Sequence, residues 1–155
     1  MQNRRDMLSA SARIALALAG AGLLPGLAQA QSAAWNNAAF DAKSLAELVK
    51  ALGAAAPVES KDVTITGPDI AENGAVVPVG ASSTLPGVKR LMLLVEKNPN
   101  MLSAIFEVNE FVEPAFSTRV KMGQSSNVFA VALTGDGKLL FAQKEIKVTL
   151  GGCGG

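Results

Sequence analysis

From Val58 to Leu150 the chain is written in short runs that alternate apolar and polar residues, each closed by glycine, proline, asparagine or aspartate. This constrains the fold more than any other feature. A two-residue repeat puts every second side chain on one face of a strand, and the closing residues favour turns over continuation. Lys61–Thr66 alternates, with Val63 and Ile65 on one face, and Gly67-Pro68-Asp69 forms a turn. Glu72-Asn73-Gly74-Ala75 reads as another turn, leading into Val76–Val79. Pro78 has no N–H to donate, which predicts an edge or a bulge there. Arg90–Glu96, Leu102–Asn109, Ser117–Met122, Asn127–Thr134 and Leu139–Leu150 follow, with Gly135-Asp136-Gly137 as a hairpin turn between the last two. About seven strands at this spacing predict a mainly β fold, an antiparallel β-sandwich of immunoglobulin-like type.

One helix is expected before the strands. Leu45, Leu48, Val49 and Leu52 recur at helical spacing on one face. Asp41 or Ser44 can cap its start, and Ser44 with Glu47 fits a capping box. Gly53 suits its end, and Pro57 stops continuation. Its apolar face is expected to pack on its own domain. Residues 31–37 form a polar lead-in.

The first thirty residues look like an export signal. Arg4, Arg5 and Arg13 precede an apolar run from Ile14 to Leu24, and Ala28-Gln29-Ala30 gives a small-x-small cleavage pattern. The run is about eleven residues, against roughly 20 needed to span a bilayer. Arg4-Arg5 resembles a twin-arginine signal, with Met7 and Ser9 departing from its usual residues, so general secretory export stays open. The expected organisation is a signal at 1–30, a helix and sandwich domain at 31–150 and a tail at 151–155. Cleavage after Ala30 leaves a chain of net charge about −1, so nothing attracts nucleic acid or an anionic membrane surface. The expected compartment is the periplasm.

The chain has no histidine, no tyrosine and one cysteine. Without histidine the commonest general base and a common neutral metal ligand are missing, so Ser–His–Asp and Cys–His nucleophile systems are excluded within the chain. One thiol cannot build a structural zinc site. No metal, no cofactor and no catalytic residue is expected.

The single cysteine closes the sequence in Gly151-Gly152-Cys153-Gly154-Gly155. Cys153 stands about 10 Å of extended chain beyond Leu150. Gly151, Gly152, Gly154 and Gly155 impose little conformational preference and leave no side chain around the sulfur. An odd cysteine in an exported protein points to intermolecular pairing or a reactive free thiol. Three readings compete: an incidental residue on a frayed terminus, a disulfide to another chain (including a dimer through Cys153), and a carrier that offers the thiol to partner active sites. The carrier reading is favoured. A permanent staple needs no glycines on both sides, whereas a narrow channel rejects side chains there, and a thiolate both attacks and leaves well. No Lys or Arg follows Thr149 to activate it, so activation is expected from the partners. A terminal Gly-Gly also suggests a ubiquitin-like thiocarboxylate carrier, but that chemistry depends on cytoplasmic adenylation, which the export signal opposes.

The ending "KVTLGGCGG", the segments "VKMGQSSNVFAV" and "ITGPDIAENGAVVPVG", and the twin-arginine-like start resemble the SoxY family of sulfur carriers. The resemblance covers essentially the whole chain after the signal, with Gly155 as the last residue where many relatives continue slightly. It implies that Cys153 carries sulfur intermediates covalently in periplasmic thiosulfate oxidation. It implies a heterodimer with SoxZ and transient contact with SoxAX, which couples thiosulfate to the thiol, and SoxB, which hydrolyses off sulfate. SoxCD, where present, oxidises the remaining sulfane sulfur.

Other features carry structural expectations. Gly74 and Gly80 are expected to shape a hairpin, Met92, Met101 and Met122 to fill the core, and Lys89-Arg90 to be solvated. Lys121–Asn127 is expected to be a polar turn that is also able to face a partner.

Overall fold

The computed structural model describes residues 36–150. The signal segment, residues 31–35 of the lead-in and the Gly-Gly-Cys-Gly-Gly tail with Cys153 lie outside the described residues.

Two helices precede the strands. Asn36 caps a short helix, α1 (Asn37–Asp41), its side chain accepting from the Ala39 N–H at 3.0 Å. This helix was not foreseen; Asp41 ends it and does not start the next. The expected helix follows as α2 (Leu45–Leu52). Ser44 Oγ accepts from the Glu47 N–H at 3.2 Å, and Glu47 Oε2 accepts from Lys43 N–H at 2.8 Å, so the return arm of the capping box reaches one residue further out. Gly53 ends α2 at φ 62°, the left-handed region where a Cβ is strained.

Nine strands follow: β1 (Val58–Glu59), β2 (Val63–Thr66), β3 (Ile70–Asn73), β4 (Val77–Ser83), β5 (Val88–Val95), β6 (Leu102–Glu107), β7 (Ala115–Val120), β8 (Ser126–Thr134) and β9 (Leu139–Leu150). They form a two-sheet sandwich, as expected. The large sheet runs β1-β9-β8-β5-β6 with β3 also on β9, and the small sheet runs β2-β4-β7. Two short strands escaped the sequence reading, and both depart from the antiparallel rule. β1 lies parallel to β9 at Leu140 and Phe141, and β3 lies parallel to it at Lys147–Leu150. Between them the chain leaves to build β2 in the other sheet, and that detour returns it to β9 in the same direction.

The larger sheet is buried on both faces. Leu91, Leu93, Val95, Val128, Ala130 and Ile146 face the small sheet's Val63, Val77, Val79, Ala81 and Val120. Met92, Leu94, Phe129, Val131 and Leu139 point the other way, under Ala39 and Leu48 of the helices. This explains why β5 is continuously apolar from Leu91 to Val95, where a half-buried strand would alternate. At one flank Phe106 of β6 stacks on Phe116 of β7, centroids 4.4 Å apart and planes 7° apart, joining the two sheets. Met92, Met101 and Met122 are buried, as expected of core filler.

Three local expectations need correction. β4, which contains Pro78, is the middle strand of its sheet and not an edge. Its pairing with β2 stops at Gly80, so Pro78 pairs with Arg119 alone and its missing N–H costs no second ladder bond. Gly74 and Gly80 do not shape a hairpin, because β3 pairs with β9 and β4 with β2 and β7. Gly80 instead permits close approach: a Cβ there would sit 2.5 Å from Thr66 Oγ1. Arg90 is not merely solvated; its Nε donates to Glu107 Oε1 at 2.8 Å across the β5–β6 pair.

Candidate functional site

The thiol chosen from the sequence, Cys153, and its four glycines lie outside the described residues. The described structure shows where the chain that carries them leaves the sandwich. β9 ends at Leu150, three positions before Cys153.

Its last residues are tied to both neighbouring segments. On one side, Lys147 N–H donates to Asp69 O at 3.0 Å, Gly74 N–H donates to Leu150 O at 2.7 Å, and Thr149 Oγ1 donates to Glu72 O at 2.9 Å. On the other, Val148 N–H donates to Ser125 Oγ at 2.9 Å. The two flanks are joined directly, since Met122 N–H donates to Gly74 O at 2.7 Å. Asn98 ties down the second flank, donating from Nδ2 to Lys121 O at 2.7 Å. Gly74 is buried within this knot, and Met122 is fully buried below it.

Two of the sequence segments that carried the resemblance, around "ENGAVVPVG" and "KMGQSSNV", thus meet at one place: the mount of the C-terminal tail. Glu72 and Ser125 were read from the sequence only as turn residues, and the hydrogen bonds of Ser125, Thr149, Glu72 and Asn98 were not legible there. Their partners lie far away along the chain, 77 residues in the case of Thr149 and Glu72, and no local pattern marks such a pair.

Electrostatically the mount is mixed. Lys144 Nζ donates to Gly67 O at 2.7 Å and pairs with Asp69 Oδ1 at 2.8 Å, pinning the β2–β3 link against β9. The hydrogen bond from Lys144, and its charge, hold the exposed Asp69 carboxyl below its ordinary value. Among the described residues no three His, Cys, Asp or Glu side chains gather as a metal site. Nor is any helix among them long and apolar enough to cross a membrane. Chemically, the mount offers hydrogen bonds to the end of β9 and no reactive side chain of its own.

Comparison with known proteins points one way. No curated protein sequence matches the chain. Among solved structures, the sulfur carrier protein SoxY from Chlorobium limicola f thiosulfatophilum superposes with TM-score 0.60 at 34% identity, over 66% of this chain and 93% of that one. Superoxide reductases from Ignicoccus hospitalis (neelaredoxin; TM-score 0.47, 20% identity, 56% of this chain and 79% of that one) and Nanoarchaeum equitans (0.45, 14%, 57% and 98%) also match. At those scores they say nothing further about this chain. The model of the sulfur oxidation protein SoxY matches residues 48–153, from inside α2 to the cysteine itself. The sequence segments, the sandwich and the family match therefore agree, and the chain belongs to the SoxY family of sulfur oxidation proteins.

Proposed function

We propose that this protein carries sulfur intermediates covalently on Cys153 during periplasmic thiosulfate oxidation and presents them to partner enzymes. The mount at Leu150 supports this most strongly: β9 is tied on both flanks three residues before the thiol. A tail that begins from so fixed a base holds its thiol within ~10 Å of one point on the surface. The family match, which runs through to residue 153, supports it independently.

The chemistry fits a chain without its own base. In the loading step the Cys153 thiol loses a proton and bonds to the outer sulfur of thiosulfate. The two electrons released pass to a haem partner, of the SoxAX kind, and leave an S-thiosulfonate on the cysteine. Water then attacks the sulfonate sulfur in a SoxB-type hydrolase, releasing sulfate and protons and leaving a persulfide. SoxCD, where the organism has it, oxidises that sulfane sulfur further. This chain supplies the thiol and its presentation; the partners supply the catalytic groups. Export with cleavage after Ala30 places it in the periplasm, and a SoxZ subunit completes the carrier. The open edge strands β6 and β7 offer surfaces for that subunit.

Cys153→Ser tests the proposal. Thiosulfate-dependent electron transfer by the reconstituted system should be lost, with the melting temperature and the complex with SoxZ unchanged. A structural disulfide through Cys153 predicts the reverse: assembly lost on substitution or reduction, and no turnover-dependent mass adduct on the tail.

A further inference from the structure

Of the asparagines in the chain, Asn73 alone precedes a glycine. An amide side chain is inert toward most groups, but the backbone nitrogen of the next residue is near enough to attack its Cγ and close a succinimide ring. Glycine favours that attack, because it has no Cβ to crowd the ring and its backbone turns freely. The sequence marks Asn73-Gly74 only as part of a turn. The structure puts the pair in the mount, with Asn73 opposite Leu150 where β3 pairs with β9.

There the reacting groups are held by hydrogen bonds. Gly74 is buried, and its N–H donates to Leu150 O at 2.7 Å. Its carbonyl accepts from the Met122 N–H at 2.7 Å, so the peptide groups on both sides of Gly74 are fixed. Asn73 is exposed, and its Oδ1 accepts from the Ala75 N–H at 2.8 Å. Water thus reaches the amide but not the nitrogen that would attack it. Ring closure requires Gly74 N to lose its proton and turn onto Cγ, and neither happens while that N–H is bonded to Leu150 O.

We infer that Asn73 is a deamidation site whose rate is set by how often the end of β9 releases Gly74. Such release is a local opening, distinct from unfolding of the whole domain. In the opened molecule Gly74 N gives its proton to hydroxide and bonds to Asn73 Cγ. The bond from Cγ to the amide nitrogen breaks, and that nitrogen leaves as ammonia with a proton from water. A second water opens the succinimide at either carbonyl, giving aspartate or isoaspartate; nothing is oxidised or reduced. The isoaspartate form routes the main chain through the side-chain carboxyl and so adds a methylene before Gly74. Pairing of β3 with β9 ends at this residue, and the added carbon shifts Gly74 N–H out of register with Leu150 O. The modification therefore removes the bond that restrained it. None of these steps involves Cys153, so the site stands apart from the carrier reading.

The experiment incubates the full mature chain at neutral pH beside three variants. Ser125→Ala and Thr149→Val each remove a side-chain bond from the mount, and Thr134→Val removes the hydroxyl bonds of the β8–β9 hairpin. Peptide mass spectrometry follows the conversion of amide to carboxyl at every asparagine, with the chain unfolded in urea as reference. Hydrogen exchange at the Gly74 amide is measured on the same samples. In the folded wild type, conversion should occur at Asn73 before any other asparagine, and about tenfold or more slowly than in urea. Ser125→Ala and Thr149→Val should raise that rate about fivefold, with Gly74 exchange faster by the same factor. Thr134→Val should match wild type. Should one mount variant misfold, the other carries the comparison. Equal rates in wild type and the mount variants overturn the inference. So does equal acceleration by Thr134→Val, since conversion then runs through unfolding of the whole domain. Faster conversion at another asparagine overturns it as well, as does an Asn73 that stays intact in every folded sample while the urea reference converts.

Discussion

The two ends of the sandwich are built differently. At the tail end, residues 69–76, 121–125 and 147–150 are tied to one another by short bonds between segments distant in sequence, with the fully buried Met122 beneath. At the opposite end, many of the bonds are local. Phe111 N–H donates to Asn109 Oδ1, Val112 N–H to Asn109 O, and Thr134, Asp136 and Lys138 bond among themselves within the β8–β9 hairpin. There the loops leave a cavity of about 270 Å³ against Leu85, Val88 and Val108, and Phe111 projects with 87% of its surface exposed. That end also carries bonds between distant segments, Gly135 N–H to Gly87 O at 2.9 Å and Ala55 N–H to Gly137 O at 3.2 Å, so both ends are cross-tied and only one of them leads into the tail; four experiments bear on that contrast.

The largest effect should come from the core under the mount. Met122→Ala removes a fully buried side chain and should cost about 2–5 kcal/mol, whereas Phe111→Ala at the other end should stay within about 0.5 kcal/mol. Urea denaturation, with the slope unchanged, gives both numbers. Comparable losses would mean that the two ends do not differ.

Next come the glycines of the tail. Replacing Gly152 and Gly154 with valine should leave Cys153 reactive toward iodoacetamide but slow loading and sulfate release by the partner enzymes about tenfold, equivalent to ~1.4 kcal/mol. The alanine pair should be milder. Equal partner rates for wild type and the valine variant would show that the tail's slimness is irrelevant.

A smaller effect is expected from Ser125→Ala, which deprives the Val148 N–H of its acceptor. The cost should be ~1 kcal/mol, with faster amide exchange at Val148 and little change at the far hairpin. Uniformly faster exchange across the domain would show that the mount is no separate unit.

The smallest effect belongs to the far hairpin. Hydrogen bonds from Lys138 and then Thr134 lower the exposed Asp136 carboxyl from 3.8 to about 2. Because the folded value lies below the ordinary one, its contribution is complete above 3.8 and fades as pH falls toward about 2. Asp136→Asn should flatten the melting temperature slightly over that window. Solvent screening keeps the effect small, and a large change would mean that the hairpin end matters as much as the mount.

How much of this was legible beforehand follows from the range of each signal. The cap at Ser44, the left-handed stop at Gly53 and the hairpin at Gly135-Asp136-Gly137 are set by residues within a few positions of one another, and each stands where the sequence placed it. The strands of the sandwich were legible for the same reason. The parallel strands β1 and β3 were not, since two or four residues carry too little periodicity to declare a partner. Arg90 looked solvated because Glu107, its cross-strand neighbour, is 17 residues away.

The sequence by itself determined which groups are on offer: a single thiol, set among glycines after the last strand, in a chain without histidine. It also determined the class of fold, because period-2 burial and turn residues act over short stretches. Only the tertiary structure decided what surrounds the point where the tail begins. Bringing Gly74, Met122 and Leu150 together requires both sheets to be packed at once, since hydrogen bonds between segments so far apart form only after hydrophobic burial has offset the entropy of closing the long loops between them.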